Sequence, residues 1–352
     1  MNVADVVVIG AGIAGLTTAA MLKARRLKVL VVEREISWAR RASGNRAGII
    51  SPYLRSPASS ALHDKNADFF APAFDYALEF FAQFPPGVFS QCGVVQLPST
   101  KRLSRMVTEV REGALRHEDV VALSRAEISE VSGAAIDAEG LYHPRGGWID
   151  PRALCDSLVR EQLGGDAITG GIEIVSVTPV KDGWTLRSRS EELFACGVVV
   201  FANAFECRSL SLTEHLPLEP VRGTIATGFE PVTLAGLKCV VCHNGYVIPC
   251  GGNERVFGTT YRHGVTGYDE DAGEVEELKS SLLRWLPRAE PRFSEVRICY
   301  RTSTRDRMPI VGPLVDIHGA TVPRAFLSVG HGSRGFVSAP YAAKLLAAQI
   351  CG

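Results

Sequence analysis

Ten residues near the start of the chain, Val6-Val7-Val8-Ile9-Gly10-Ala11-Gly12-Ile13-Ala14-Gly15, limit the fold more than any other stretch. A fully apolar run enters a glycine-rich turn, and Leu16, Ala19, Ala20 and Lys23 within 13–26 then fit one helical crossover. A second apolar run, Val29 to Val32, ends at Glu33. Strand, turn, helix, strand and acid in that order predict a βαβ unit that binds a dinucleotide. Glycine at 10 permits the tight turn, glycine at 12 lets backbone approach a pyrophosphate, and glycine at 15 lets helix and strand pack closely. The helix N-terminus stabilises the diphosphate through its aligned amides, and Glu33 stands where it accepts hydrogen bonds from the ribose hydroxyls.

Two further apolar runs, Val198 to Ala202 and Ala325 to Val329, suit strands buried on both faces of the same parallel sheet. Between them the texture becomes antiparallel. The stretch 172–180, Lys181-Asp182-Gly183 and then 184–188 reads as a hairpin, and so does 246–249 with 256–261. Helices are expected over 68–84, where Phe69, Ala73, Phe74, Ala77, Leu78, Phe81 and Phe84 form a core stripe, over 151–163 after an Asp150 N-cap, around Val275, Leu278, Leu282 and Trp285, and over 336–350. The fold class is therefore α/β with an α+β substrate part: a three-layer parallel-sheet FAD/NAD(P)-binding domain and an interleaved, mostly antiparallel β substrate domain carrying helices. The expected division is 1–85, 145–215 and 320–352 for the first, 86–144 and 216–319 for the second.

With 352 residues the chain is long enough for two such interlocked domains, and its 38 basic residues balance its 38 acidic ones. A neutral total argues against a polyanion binder that works through global attraction, while local patches remain open. No stretch reaches the length of a membrane span and no basic, apolar leader opens the chain, so a cytoplasmic protein is expected. Nine scattered cysteines lack framework spacing and are read as reduced thiols. Cys239-Val240-Val241-Cys242-His243 has no second pair of ligand spacing, so it is read as strand core, with no metal site.

The fingerprint alone does not separate FAD from NAD, because both present the same ADP half. Gly330-His331-Gly332-Ser333-Arg334-Gly335, just before the last helix, suggests a return of the chain to the same cofactor, although an ordinary strand-to-helix loop has the same look.

Together with Ala42-Ser43-Gly44-Asn45-Arg46-Ala47-Gly48-Ile49, Ala202-Asn203-Ala204, and Arg301 through Asp306 to Pro309 and Gly312, these motifs resemble the D-amino-acid-oxidase-like flavoenzymes, a superfamily that includes glycine and sarcosine oxidases. The resemblance spans nearly the whole chain. Cys92 to Leu97, Tyr142 to Trp148, Pro220 to Gly223, Gly245 to Pro249 and Thr304 to Pro309 are most similar to one branch, the FAD-dependent oxidoreductase half of the bifunctional tRNA 5-methylaminomethyl-2-thiouridine biosynthesis enzymes. The resemblance implies FAD, and it implies oxidation of a 5-carboxymethylaminomethyl group on the tRNA wobble uridine to a 5-aminomethyl base and glyoxylate. The first strand begins so early that a methyltransferase segment is not expected ahead of it; a separate methyltransferase is a possible partner. A free-amine reading, as an oxidase or dehydrogenase of glycine, sarcosine or a D-amino acid, stays open, as does a flavin-bearing tRNA-binding protein without catalysis.

By the same resemblance the cofactor contacts are Gly10, Gly12, Ile13, Ala14, Gly15, Glu33, Arg34, Ala42, Ser43, Gly44, Asn45, Ala47, Gly48, Ile49, Ile174, Ala202, Asn203, Gly330, His331, Gly332, Ser333, Arg334 and Gly335. Arg46 is an alternative holder of the pyrophosphate. Removing hydride from a methylene between an amine and a carboxylate needs an anchor for the carboxylate, and the planar fork of arginine supplies it bidentately. The resemblance makes Arg301 the first candidate and Arg305 the second, with Tyr246 as a hydroxyl donor to the same carboxylate, against a competing reading of surface salt bridges or core packing. For tRNA phosphates, Arg25-Arg26, Arg40-Arg41, Arg102 with Arg105, and Arg301, Arg305 and Arg307 are candidate patches, with solvated faces and internal ion pairs the competing reading of the first three.

Overall fold

A computed structural model describes residues 2–54, 65–113 and 120–352. The opening strand Asn2–Ile9 lies in an eight-stranded sheet, parallel to Val29–Val32 on one side and to Leu193–Phe201 on the other. Thr321–Val329 continues the parallel set beside Leu193–Phe201, and Ile168–Thr169 closes the far edge. All four apolar runs thus meet in one sheet. Their uniform hydrophobicity follows from burial on two faces: Val6 and Val8 point into a core shared with the helices Ile13–Ala24 and Gly335–Cys351, whereas Val7 and Ile9 pack with Trp184, Leu186 and Leu210 on the opposite side.

The hairpin Ile174–Val180 with Gly183–Ser188 joins the N-terminal half of Leu193–Phe201 in antiparallel register. Ile310–Val315 also belongs here, antiparallel to Thr321–Val329. The nucleotide sheet therefore takes the chain back about ten residues before the expected boundary at 320.

A nine-stranded sheet forms the second part. Its spine is the long antiparallel pair Leu218–Phe229 and Arg292–Thr304, flanked by the hairpin Tyr246–Pro249 with Arg255–Gly258 and continued through Val240–Cys242, Val94–Gln96, Gly140–His143 and Val121–Leu123. The second hairpin strand stops at Gly258, three residues short of the expected end, so Thr259 to Tyr261 leave the ladder, and Thr259 and Tyr261 face the cavity. A small sheet of Gly48–Ile50, Gly147–Ile149 and Phe89–Ser90 bridges the two parts.

The helix Lys65–Phe81 buries Phe70 and Phe80 together with Ala73, Phe74, Ala77 and Phe81, while Leu78 of the expected stripe is half-buried and Phe69 packs only at its edge. The closing helix packs across this side of it, with Tyr341 against Phe69 and Tyr76. Asp150 caps the helix Pro151–Ser157 by accepting from the amides of Arg152 and Ala153, and the helix continues as a π-helical turn over Leu158–Leu163. The nine thiols are free, and among the described residues no cluster of His, Cys, Asp and Glu could hold a metal ion. Among those residues, no helix is long and apolar enough to cross a membrane.

Candidate active site

One cavity of about 590 Å³ runs between the two sheets, from the opening glycine turn to the closing one. At its first end Gly10 has φ +104°, and an added Cβ there would meet the carbonyl of Ala202 at 2.8 Å. No other residue fits this turn without strain. Gly15 does not line the cavity: a Cβ on it would collide with the carbonyl oxygen of Gly10, so its bareness lets the helix sit on the strand. Ser43 Oγ accepts from the Ile13 amide at 2.9 Å, which makes a residue thirty positions away the cap of the first helix. Glu33 accepts from the amides of Ala11 at 2.6 Å and Glu35 at 3.0 Å, which fixes its carboxylate at the cavity wall with acceptor capacity to spare.

The loop around Ala42–Gly44 is held from the second sheet. Arg297 donates to the carbonyls of Arg40 and Arg41 and to Asn45 Oδ1. Ala42, Ser43, Asn45, Ala47, Gly48 and Ile49 line the cavity, and Gly44 lies behind it, pressed against the Ala39 carbonyl. Arg46 does not line the cavity, and its guanidinium pairs with Asp150 at 3.0 Å and Glu254 at 2.9 Å. Arg34 lines the cavity but pairs with Glu206 at 2.8 Å. Ile174, Ala202 and Asn203 complete this end.

At the other end Gly330, His331, Gly332, Ser333, Arg334 and Gly335 all line the wall, with the closing helix starting at Gly335. His331 is held by Ser328 at 3.1 Å and Ser338 at 2.8 Å, and burial lowers its pKa to about 4, so it is a neutral, oriented ring at pH 7. Arg334 donates to the carbonyls of Ser51 and Pro52 and lies over Tyr53 and Phe70.

Opposite this turn, Arg301 projects from the strand Arg292–Thr304 into the cavity. It donates to Thr259 Oγ1 at 3.1 Å and covers the ring of Tyr261 at 4.6 Å, and it has no carboxylate partner among the described residues. Gly223 leaves the space it occupies, since a Cβ there would overlap the guanidinium. Tyr246 lines the same wall, its phenol kept protonated by burial, which outweighs the opposing pull of Arg301. Arg305 is a correction. The strand has ended by Thr304, and the turn carries Arg305 out to solvent, away from the cavity.

Several wall residues have no local signature in the sequence. Gly223 stands inside a motif without any mark of its role, and Thr259, Tyr261, Tyr268, Cys299 and Tyr300 reach the cavity through sheet register and through the early end of one strand.

A βαβ nucleotide turn and a returning glycine turn on one cavity, with an acid-free arginine facing them, are the arrangement of a flavin-dependent oxidoreductase. The chain belongs to the DAO family, described as FAD dependent oxidoreductase, whose model matches residues 5–349. It is similar to the tRNA 5-methylaminomethyl-2-thiouridine biosynthesis bifunctional protein MnmC of Aeromonas hydrophila, at 29% identity over 99% of this chain and 56% of that protein. The protein of the same name from Nitrosospira multiformis is 32% identical over 98% of this chain and 57% of its own length. The chain thus spans just over half the length of these relatives. In fold it matches glycine oxidase from Geobacillus kaustophilus, with a TM-score of 0.81 and 21% identity over 99% of this chain and 95% of that one.

The residues present fit FAD. Besides the glycine turn and the Glu33 carboxylate, the buried Oδ1 of Asn203 on the same wall has no hydrogen-bond partner within the protein, an acceptor waiting for a donor. Gly10 to Ala14, Ser43 and Glu33 would hold the ADP half, and Gly330 to Gly335 with Gly48 and Ile49 the ring end.

Proposed function

We propose that this enzyme removes the carboxymethyl group from 5-carboxymethylaminomethyl(-2-thio)uridine at the tRNA wobble position, releasing glyoxylate and leaving the 5-aminomethyl base. The observation that carries the oxidation of a carboxymethyl amine is the guanidinium of Arg301, without a carboxylate partner among the described residues, on the cavity wall opposite the closing turn. A charge drawn out of water without a partner is costly, and a substrate carboxylate supplies the partner. Thr259 orients the guanidinium from one side. The Tyr246 phenol, protonated at neutral pH, donates to the same carboxylate. Flavin, when bound, supplies the two-electron acceptor for the hydride. The chain's own part is to hold the C–H bond between carboxylate and amine toward that acceptor and to keep His331 neutral, so that this ring adds no positive charge against the cation developing on the amine. Loss of hydride leaves an iminium, which water hydrolyses to the primary amine and glyoxylate.

The similarity to the bifunctional tRNA-modifying proteins over nearly the whole chain supports tRNA as the donor. The oxidation of a free amino acid is the second reading, favoured by the same Arg301, because glycine and sarcosine present the same carboxymethyl amine. Both are separated by incubating the flavin-loaded protein under air with tRNA carrying the carboxymethylaminomethyl base and with sarcosine. Mass spectrometry of the nucleosides should show the aminomethyl base, and Arg301→Ala should abolish it while the protein stays yellow. Unchanged tRNA beside rapid turnover of sarcosine would sink the tRNA reading.

A further inference from the structure

Tyr261 is exposed over 50% of its surface although it lines the cavity, and Arg301 covers its ring at 4.6 Å. A half-open aromatic ring at a cavity wall loses nothing by gaining a planar partner. Its backbone is held firmly. Thr260, fully buried, exchanges hydrogen bonds with Thr224 through its amide and its hydroxyl, and Arg262 on the other side pairs with Glu277 at 2.5 Å and with the buried Glu274 at 3.6 Å. The strand fragment Arg262–His263 then docks on Leu218–Phe229. The backbone that carries the ring is thus fixed beside the carboxylate anchor, and in the proposed substrate a short methylene–amine–methylene arm joins the carboxylate to the base.

We propose that Tyr261 is the stacking platform for the uracil ring of the flipped nucleotide, a specificity residue that tells a carboxymethylamine carried on a base from one that stands alone. This rests on the tRNA reading above. Stacking on an aromatic side chain is tolerant of the base's substituents and is the usual way an unpaired base is held. The ring, not the hydroxyl, supplies it. Arg301 takes one face of the ring through a cation–π contact and leaves the other for the base.

The test uses flavin-loaded wild type, Tyr261→Leu and Tyr261→Phe, with the modified tRNA and with sarcosine as donors. Tyr261→Leu should raise KM for tRNA roughly ten- to a hundredfold with kcat nearly kept, and leave KM for sarcosine within about twofold, while Tyr261→Phe restores the tRNA value. An equal rise for both donors overturns the proposal, because it would mean that Tyr261 merely positions Arg301. An unchanged KM for tRNA overturns it as well. Wild type that never oxidises tRNA overturns the functional reading and the stacking with it, whereas wild type active on tRNA with an indifferent Tyr261→Leu overturns the stacking alone.

Discussion

Arg301 and Arg305 lie four positions apart in one motif, and their environments differ because a strand ends between them. The residue at 301 is still in register with Val221, which aims its side chain between Gly223 and Thr259, whereas 305 begins a turn in solvent. Charge alone does not distinguish them in the sequence; register does. The same dependence on surroundings governs the buried histidines. His243 accepts the Gly245 amide and meets Ser281 at 3.0 Å, and burial, with Arg284 nearby, lowers its pKa from 6.5 to about 4. The unfolded chain takes up the proton first as pH falls, so stability is complete above about 6.5 and declines through the window down to about 4. By pH 5 the loss from His243 is on the order of 2 kcal/mol. His331 acts in the same direction. His243→Gln, which keeps an acceptor but no titrating ring, should lose less of its melting temperature between pH 7.5 and 5 than wild type; parallel losses in a thermal melt would remove this account.

The elements that are legible in the sequence are those whose pattern reports burial directly. Four apolar runs became four strands of one parallel sheet, because a strand covered on both faces has no polar alternation to lose. The nucleotide turn is legible for a steric reason, its glycines standing where backbone touches backbone. What escaped depends on contacts between distant elements. Ser43 as the cap of a helix beginning at Ile13, Arg297 reaching the loop at 40–45, and Ile310–Val315 joining the nucleotide sheet have no local signature. Gly223 shows the consequence for function. On Leu218–Phe229 it is one wall of the slot for the Arg301 guanidinium, on the strand beside it. Gly223→Ala should push that guanidinium off its line without removing its charge, raising KM for both tRNA and sarcosine about tenfold or more with flavin content intact, as read from the visible absorbance of the purified protein. Gly15→Ala should act differently, since its added carbon strikes backbone: little soluble protein and no bound flavin. A yellow, active Gly15→Ala protein would contradict the packing described for the opening helix.

Across the whole molecule the charge is balanced, so under the proposed tRNA reading any attraction of the RNA comes from where the arginines are placed. One of the candidate arginines is committed elsewhere: Arg41 pairs with Glu35 and lies over the Tyr268 ring. Other exposed arginines cluster by their neighbours. Arg102 donates to the carbonyl of Leu54, just beyond Ser51 and Pro52, whose carbonyls take up the cavity-lining Arg334. The turn holding Arg305 and Arg307 meets Asn66, which donates to the carbonyl of Asp306. Arg102, Arg305 and Arg307 are all exposed at the surface, so the residue that does not reach the cavity as a carboxylate anchor is a candidate to meet a phosphate. Each arginine that neutralises a phosphate releases counterions, which steepens the fall of affinity with salt. Replacing Arg102 and Arg305 together by Ala should lower kcat/KM for tRNA by about tenfold at low salt and flatten its dependence on the logarithm of salt by roughly 0.7 to 0.9 for every phosphate left unneutralised, while sarcosine turnover is unchanged at every salt concentration. If the double variant keeps the wild-type slope, the RNA approaches from another face, and if sarcosine turnover falls too, these arginines support the cavity rather than the nucleic acid.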